Sequence, residues 1–418
     1  MLTLAQPPFI FPDESSTHTR TPEQEVSSSE DSDWSHSDKP CVPYRKGYTI
    51  TAMRHEPPEP FGPPYSTQLH HEHEDWKGLS QTDYVLSRPT IKGRTHADVR
   101  KCLVITSTIR TGMERGAQIV VVDRTMVAKI YDPLYYPDVD DYGSKQDVVS
   151  EADGDYSREA VAYEELRKSP EVAAVTPAFY GTWTMDVESY AKRSHDKKTK
   201  YVRAVRFILL ERLRGDCMND VDPDDLREPI RSMILKKALL ADAVISNAGV
   251  KHRDVCPRNI MILGSNYDNP ETPISAIQVE VKVFDFNIAV AVDHPRYKNR
   301  QYLRIEKQVK KDWPCKLSSP LITHYGRMGD FASEGWCSDE QWGAEIWLWQ
   351  QFHDDERFIP VIWDPSDPRK RPVYQERLKA QRDVENSSDS GINMDVDKDE
   401  KESDPGQHNK EPPHELDI

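Results

Sequence analysis

The chain has 418 residues, a net charge of −16 and 37% hydrophobic residues, enough for one large or two small folded units. The acidity sits at the ends: residues 1–40 contribute −6 and residues 384–418 contribute −8, so the middle is close to neutral. No basic field for nucleic acid is expected, and the six scattered cysteines, without a CxxC pair, exclude a zinc module or a disulfide framework.

The N-terminus, Met-Leu-Thr-Leu-Ala-Gln-Pro-Pro, lacks the start of a signal peptide, and no apolar run approaches the length of a bilayer span. A soluble intracellular protein, cytoplasmic or nuclear and not on a membrane, is the expectation; the oligomeric state stays open. Residues 1–90, rich in Pro, Ser, His and acids, and the acidic tail 384–418 are expected to be disordered. Solvation explains such tails; docking to a basic partner is the alternative. His70, His71 and His73 read as solvated side chains, with metal binding as the alternative.

The folded part opens on strands. Leu103–Ile109, Ala117–Val122 and Met126–Tyr131 carry strand-forming residues, with Gly112 and Gly116 marking the turn between the first two. An acidic loop is expected over 132–156. Its run from Asp138 to Gly143 fails as a calcium loop, because Tyr142 and Val149 fall where oxygen ligands are needed. A helix is expected next, capped by Ser157 and stopped by Ser169-Pro170. Two strands near Tyr201–Leu210 follow a basic run, Lys192 to Lys200, which reads as an exposed hairpin tip. The spacing of Ile230, Ile234, Ala241 and Ile245 predicts a helix over 228–247, with Gly249 as its C-terminal cap.

A hairpin then follows: Ile260–Leu263, a long loop over 264–278, and a strand in which Val279, Val281 and Val283 face one way. Beyond it, Trp342, Ile346 and Trp349 share one helical side within a tryptophan cluster. They read as core; an exposed partner groove is the alternative.

The chemistry is concentrated around that hairpin. His252-Arg253-Asp254-Val255-Cys256-Pro257-Arg258-Asn259 places an aspartate and an asparagine five residues apart, and Val283-Phe284-Asp285-Phe286-Asn287 supplies a second carboxylate. A phosphotransferase needs that set: one group to orient the attacking hydroxyl, and oxygens to hold a divalent ion. Upstream, Met126-Val127-Ala128-Lys129-Ile130 offers a lysine on a strand. Glu159 is the candidate to hold it, with Glu164 and Glu165 too near the helix end.

From about residue 103 to 290 the chain resembles the protein-kinase superfamily, in particular the divergent kinase-like proteins common in fungi. The resemblance implies an α+β, bilobal fold with a β-rich N-lobe over 91–213 and a shortened helical C-lobe over 214–383. It implies ATP and Mg2+ as cofactors and a hydroxyl acceptor, most simply Ser or Thr of a protein. Asp254 would orient the acceptor, Lys129 would meet the phosphates, and Asn259 and Asp285 would hold the metal. Gly112 and Gly116 would belong to the phosphate loop. Leu210 would line the adenine pocket, with the Glu211 carbonyl and the Leu213 amide bonding adenine.

Departures point elsewhere. Asn287 stands where glycine is usual and is expected to take positive φ; the phosphate loop, Thr111 to Gly116, has only two glycines; and Cys256 replaces a common lysine. No Ala-Pro-Glu follows. A catalytically weak pseudokinase acting as a scaffold, and a small-molecule kinase of the aminoglycoside or choline type, are the alternatives.

Overall fold

A computed structural model describes residues 39–65, 78–88, 90–140, 142–193, 197–297 and 308–375. The acidic tail 384–418 and His70, His71 and His73 lie outside the described residues.

Six strands close into a barrel: β1 (Thr49–Glu56), β2 (Arg94–Arg110), β3 (Gln118–Val122), β4 (Met126–Tyr131), β5 (Phe179–Arg193) and β6 (Lys197–Glu211). Their order is β1-β2-β3-β4-β6-β5, with β1 pairing β5 to seal the ring. Closure removes the unpaired edge that an open sheet would expose.

Strand β1 overturns the expectation that residues 1–90 lack structure. Its alternation buries Ile50 and Ala52, and a register shift between Met53 and Arg54 turns His55 inward instead of Arg54. A short helix, α1 (Gln81–Ser87), corrects the same boundary; it is capped by Ser80, whose hydroxyl accepts from the Asp83 amide. Strand β2 is longer than Leu103–Ile109, and of the two strands expected near Tyr201–Leu210 only β6 lies there; its partner β5 precedes the basic run. The β5–β6 pairing runs out to Arg193 and Lys197, so the basic run does sit at the tip of a hairpin.

Helix α2 (Val148–Leu166) begins nine residues before Ser157. Asp147 is the cap, its carboxylate accepting from the Ser150 amide at 3.0 Å. Ser157 is buried in mid-helix and donates its hydroxyl back to the Gly154 carbonyl at 3.0 Å. A residue type that favours caps can thus bond back within a helix instead. The loop expected to reach residue 156 therefore ends at Asp147.

After β7 (Asp216–Cys217) comes α3 (Glu228–Asn247), matching the predicted helix; Ile230, Ile234, Ala241 and Ile245 are all fully buried. Gly249, at φ 90°, donates to the Ser246 carbonyl and ends it. Strand β8 (Val250–Lys251) leads to the hairpin β9 (Ile260–Gly264) and β10 (Val279–Val283), in register from Gly264↔Val279 to Ile260↔Val283. Strand β11 (Val290–Ala291) returns to pair β8.

Among the described residues the remainder includes a helical stretch over 308–312, the short helices α4 (Pro320–Thr323), α5 (Gly329–Ser333) and α6 (Gly343–Phe352), and a ribbon of β12 (Val361–Ile362) with β13 (Val373–Tyr374). Trp336 is buried, and Ile346, Trp347 and Trp349 pack against the core, as expected of core residues; Trp342 is not on the helix but precedes α6 in left-handed backbone, φ 68°. The chain mixes α and β, with most strand residues up to Glu211 and most helix residues after it. All six cysteines are free. Among the described residues no helix is long and apolar enough to cross a membrane.

Candidate active site

The register of the barrel lines up a row of side chains on one face. Arg110 pairs Ile119, Ile119 pairs Lys129, and Lys129 pairs Ile208 across β2, β3, β4 and β6. Directly opposed residues share a face, and so does a residue two positions along. Leu210, opposite Val127, therefore lies on the same face as Lys129.

Lys129 is buried and its Nζ lies 2.5 Å from Glu159 Oε2 on α2 and 2.6 Å from Asp285 Oδ1 beyond β10. Burial alone would lower its pKa; the carboxylates of Asp285 and Glu159 outweigh that and hold the ammonium above the usual lysine range. Glu159 is fully buried and occupied from three sides. Its Oε2 also accepts from the Tyr131 hydroxyl at 2.7 Å, and its Oε1 from the Phe286 amide at 3.2 Å. Burial raises the Glu159 pKa against the pull of Lys129. Asp285 is the outward-facing member, its side chain 27% exposed. Burial raises its pKa too, but Lys129 and, farther off, Arg110 bring it below the ordinary carboxylate value.

Asp254 is held beside this cluster by its own loop. Its Oδ2 accepts from Asn259 Nδ2 at 2.9 Å and its Oδ1 from Arg258 Nη2 at 2.8 Å. Cys256 Sγ also donates to Oδ1, at 3.7 Å; with two lone pairs on each carboxylate oxygen, acceptor capacity remains on Oδ2. The Asn259 carbonyl accepts from the Phe284 amide at 3.0 Å, which ties this loop to the residue before Asp285. Burial lowers the His252 pKa, keeping the ring neutral; Nε2 then donates to the Phe284 carbonyl at 2.9 Å while Nδ1 accepts from the Asp254 amide.

Phe286 is packed between the His252 and Tyr163 rings, at centroid distances of 4.6 and 5.0 Å, so α2 and the loop that carries His252 and Asp254 grip the same side chain. Arg253 and Asp285 both have positive φ, 73° and 67°. For residues other than glycine such backbone is costly, and it persists only where surroundings enforce it. Asn287 does not have positive φ; the left-handed residue is Asp285, two positions earlier, which corrects the expectation placed on Asn287.

The structure thus brings together Lys129, Glu159 and Asp285, and separately Asp254 and Asn259, joined through Phe284. With all three ionised, the first cluster carries one negative charge over. Among the described residues, Asn259 Oδ1 and Asp285 Oδ2 take no hydrogen bond. A hard divalent ion such as Mg2+ prefers one or two protein oxygens, completing its shell with water and phosphate, so this donor set fits it. No larger group of His, Cys, Asp or Glu side chains suited to a metal is gathered among the described residues.

Gly112 and Gly116 lie beyond the end of β2, with φ of 146° and 63°. Their loop is closed on itself: Gln118 Oε1 accepts from the Gly112 amide at 2.7 Å, and Gln118 Nε2 donates to the carbonyls of Gly112 and Gly116 at 3.0 and 3.1 Å. One amide wanted for phosphate is therefore taken. Glu211 ends β6; its side chain accepts from Lys282 Nζ at 2.9 Å and from the Ala178 amide at 3.1 Å. Leu213 follows, half-buried. Arg110, Gln118 and Arg258 were missed in the sequence. Only for Arg258, four residues after Asp254, was there a local signal.

No family model matches the sequence, and no curated protein matches it. Solved structures similar to it include a crystal structure of WbdD, at 14% identity over 70% of this chain and 52% of that one, with a TM-score of 0.31. A structure of the bifunctional kinase-methyltransferase WbdD gives 14% identity, 69% and 53% coverage, and a TM-score of 0.31. The ROP18 kinase domain with AMP-PNP and sucrose gives 14%, 46% and 53%, and 0.29. The chain spans about half the length of the solved chains it matches.

Proposed function

We propose that the chain is an ATP- and Mg2+-dependent phosphotransferase that moves the γ-phosphoryl group of ATP onto a hydroxyl. The observation that carries this is the ion-paired trio: Lys129 between Glu159 and Asp285, with Asp254 bonded to Asn259 alongside. Glu159 fixes the lysine, so the ammonium is presented to the phosphates without a search through rotamers. Asn259 and Asp285 hold Mg2+, which neutralises charge developing on the transferred group. Asp254 accepts a hydrogen bond from the acceptor hydroxyl and aims its oxygen at phosphorus; the new O–P bond forms as the bond to the ADP oxygen breaks, and the hydroxyl proton passes to Asp254 and then to solvent. Positioning and charge neutralisation supply most of the rate.

In this reading the barrel side, up to Leu213, and the helix-rich side from Arg214 are the two walls of the cleft. Adenine lies against Leu210 and bonds the Glu211 carbonyl and the Leu213 amide. The acceptor is most simply a protein Ser or Thr, and the protein works inside the cell. Purified full-length chain with labelled ATP, offered a Ser/Thr peptide pool and a set of small alcohols, tests it. Mg2+-dependent transfer that disappears in Asp254→Asn, with the fold kept, supports the proposal; equal activity in both proteins removes Asp254 from its role.

A second reading has its own observation. Gln118 consumes the Gly112 amide, and Lys129 sits directly on the metal-holding carboxylate. A nucleotide-binding scaffold without turnover would be stabilised by ATP and Mg2+ yet transfer nothing in the same assay.

A further inference from the structure

Arg158 precedes Glu159 on α2 and points away from Lys129. It is buried, and its guanidinium is spent on three different parts of the chain. Nε donates to the Asn287 carbonyl at 2.7 Å, Nη1 to the Phe61 carbonyl at 2.9 Å, and Nη2 to Asp155 Oδ1 at 2.7 Å. The same Asp155 carboxylate also accepts from the Tyr136 hydroxyl at 3.3 Å. Asn287, placed where a glycine is usual, is therefore tied to α2 through its backbone carbonyl.

The space for the guanidinium is made by two glycines. A Cβ on Gly154 would lie 2.7 Å from Arg158 Nη1, and a Cβ on Gly62 would lie 2.8 Å from the same atom. Gly154 is in mid-helix, where glycine is unfavourable, so a packing reason is called for and Arg158 supplies one. The segment around Phe61 is itself pinned to the far side of the site. The Tyr65 hydroxyl accepts from the Ala291 amide at 2.8 Å, Tyr65 bridges to Tyr297, and Glu59 reaches His294 at 3.4 Å and Arg296 at 3.5 Å.

We infer that Arg158 is a positioning residue: with Asn287 and the strap 59–65 it locks α2 to the stretch after Asp285, in the one arrangement that lets Glu159, Lys129 and Asp285 meet. Its catalytic consequence rests on the phosphotransferase reading; the lock itself does not. A lysine cannot replace it, because one ammonium cannot span three acceptors held in a fixed fork. The stretch after Asp285 is then held permanently and needs no switch to order it.

The test is hydrogen exchange on the full chain, with transfer kinetics alongside, for wild type, Arg158→Leu, Arg158→Lys, Asn287→Gly and Gly154→Ala. Peptides covering 59–65 and 286–291 should exchange faster together in Arg158→Leu and Gly154→Ala, while those in β4, β6 and α3 keep wild-type protection. Asn287→Gly, which keeps the carbonyl that takes Arg158 Nε, should be the mildest change and leave 59–65 at wild-type protection. Transfer kcat should fall roughly tenfold to a hundredfold in Arg158→Leu, with KM for the acceptor unchanged, and Arg158→Lys should not restore it. Unchanged exchange in both segments, uniform loss of protection across the chain, or full rescue by lysine would each overturn the lock. If wild type transfers nothing, the phosphotransferase reading fails, and the exchange pattern still decides the lock.

Discussion

Two buried ionic clusters in this molecule invite comparison. In the barrel, Arg203 lies over Asp132, with Nη2 2.5 Å from Oδ2 and Nε 3.1 Å from Oδ1; the Tyr44 hydroxyl donates to the same carboxylate at 2.5 Å, and Ser189 Oγ takes another guanidinium hydrogen. The side chains are 7% and 0% exposed, and one positive charge meets one negative. At the site, Lys129 meets two carboxylates, one of them partly exposed, and a negative charge is left over. A closed, neutral cluster is finished by its own protein groups. An open, charge-unbalanced one is finished by something from outside. The difference separates structural from chemical use of the same residue types.

Paired substitutions are the strongest way to break that contrast. Asp254→Asn should lower transfer by roughly 10²- to 10⁴-fold and leave the melting transition near wild type. Lys129→Met should lower transfer by at least roughly 10²-fold. Arg203→Met should do the reverse: it strands Asp132 in the barrel and costs about 3–5 kcal/mol of stability, while the fraction still folded binds nucleotide normally. Chemical denaturation together with activity per folded molecule reads both sides. Equal stability losses for Lys129→Met and Arg203→Met would erase the distinction.

A smaller effect sharpens it through pH. Asp153 on α2 is buried, accepts from the Ile91 amide at 2.7 Å, and is pushed by burial up to about 7. A carboxyl raised in the folded state binds a proton there that the unfolded chain has released. The stability it gives is full below about pH 4 and is lost as pH rises through 7. Asp153→Asn keeps an acceptor for Ile91 and removes the titration. Its stability advantage over wild type should open above about pH 4 and level off above pH 7, on the order of 4 kcal/mol. Denaturation midpoints at pH 5 and 8 check it; a gap that does not widen would show that Asp153 titrates normally.

What was legible in the sequence was local. Asp254 and Asn259 sit on one short loop, and Asp285 follows a strand with clean alternation, so spacing alone exposed them. Lys129 and Glu159 were found because their chemistry requires each other. The rest was decided by distant contacts. Strand β1 hid in a Pro-rich stretch because its inward residues, Ile50, Ala52 and His55, gain their meaning only from closing the barrel against β5. The first half of α2 looked like an acidic loop. Asp147 as cap and Val148, Val149, Ala152 and Tyr156 as the inward stripe outweigh Asp153, Gly154 and Asp155 there. Gln118 and Arg158 carry no pattern of their own; their roles come from carbonyls and amides that other segments bring to them.

The central claim is that the open cluster is completed by a metal-bound triphosphate, and calorimetry of ATP binding with and without Mg2+ tests it most directly. Wild type should bind ATP more tightly when Mg2+ is present, Asp254→Asn should keep that gain, and Asp285→Asn should lose it. Absence of ATP binding by wild type, or an undiminished Mg2+ effect in Asp285→Asn, would contradict the account.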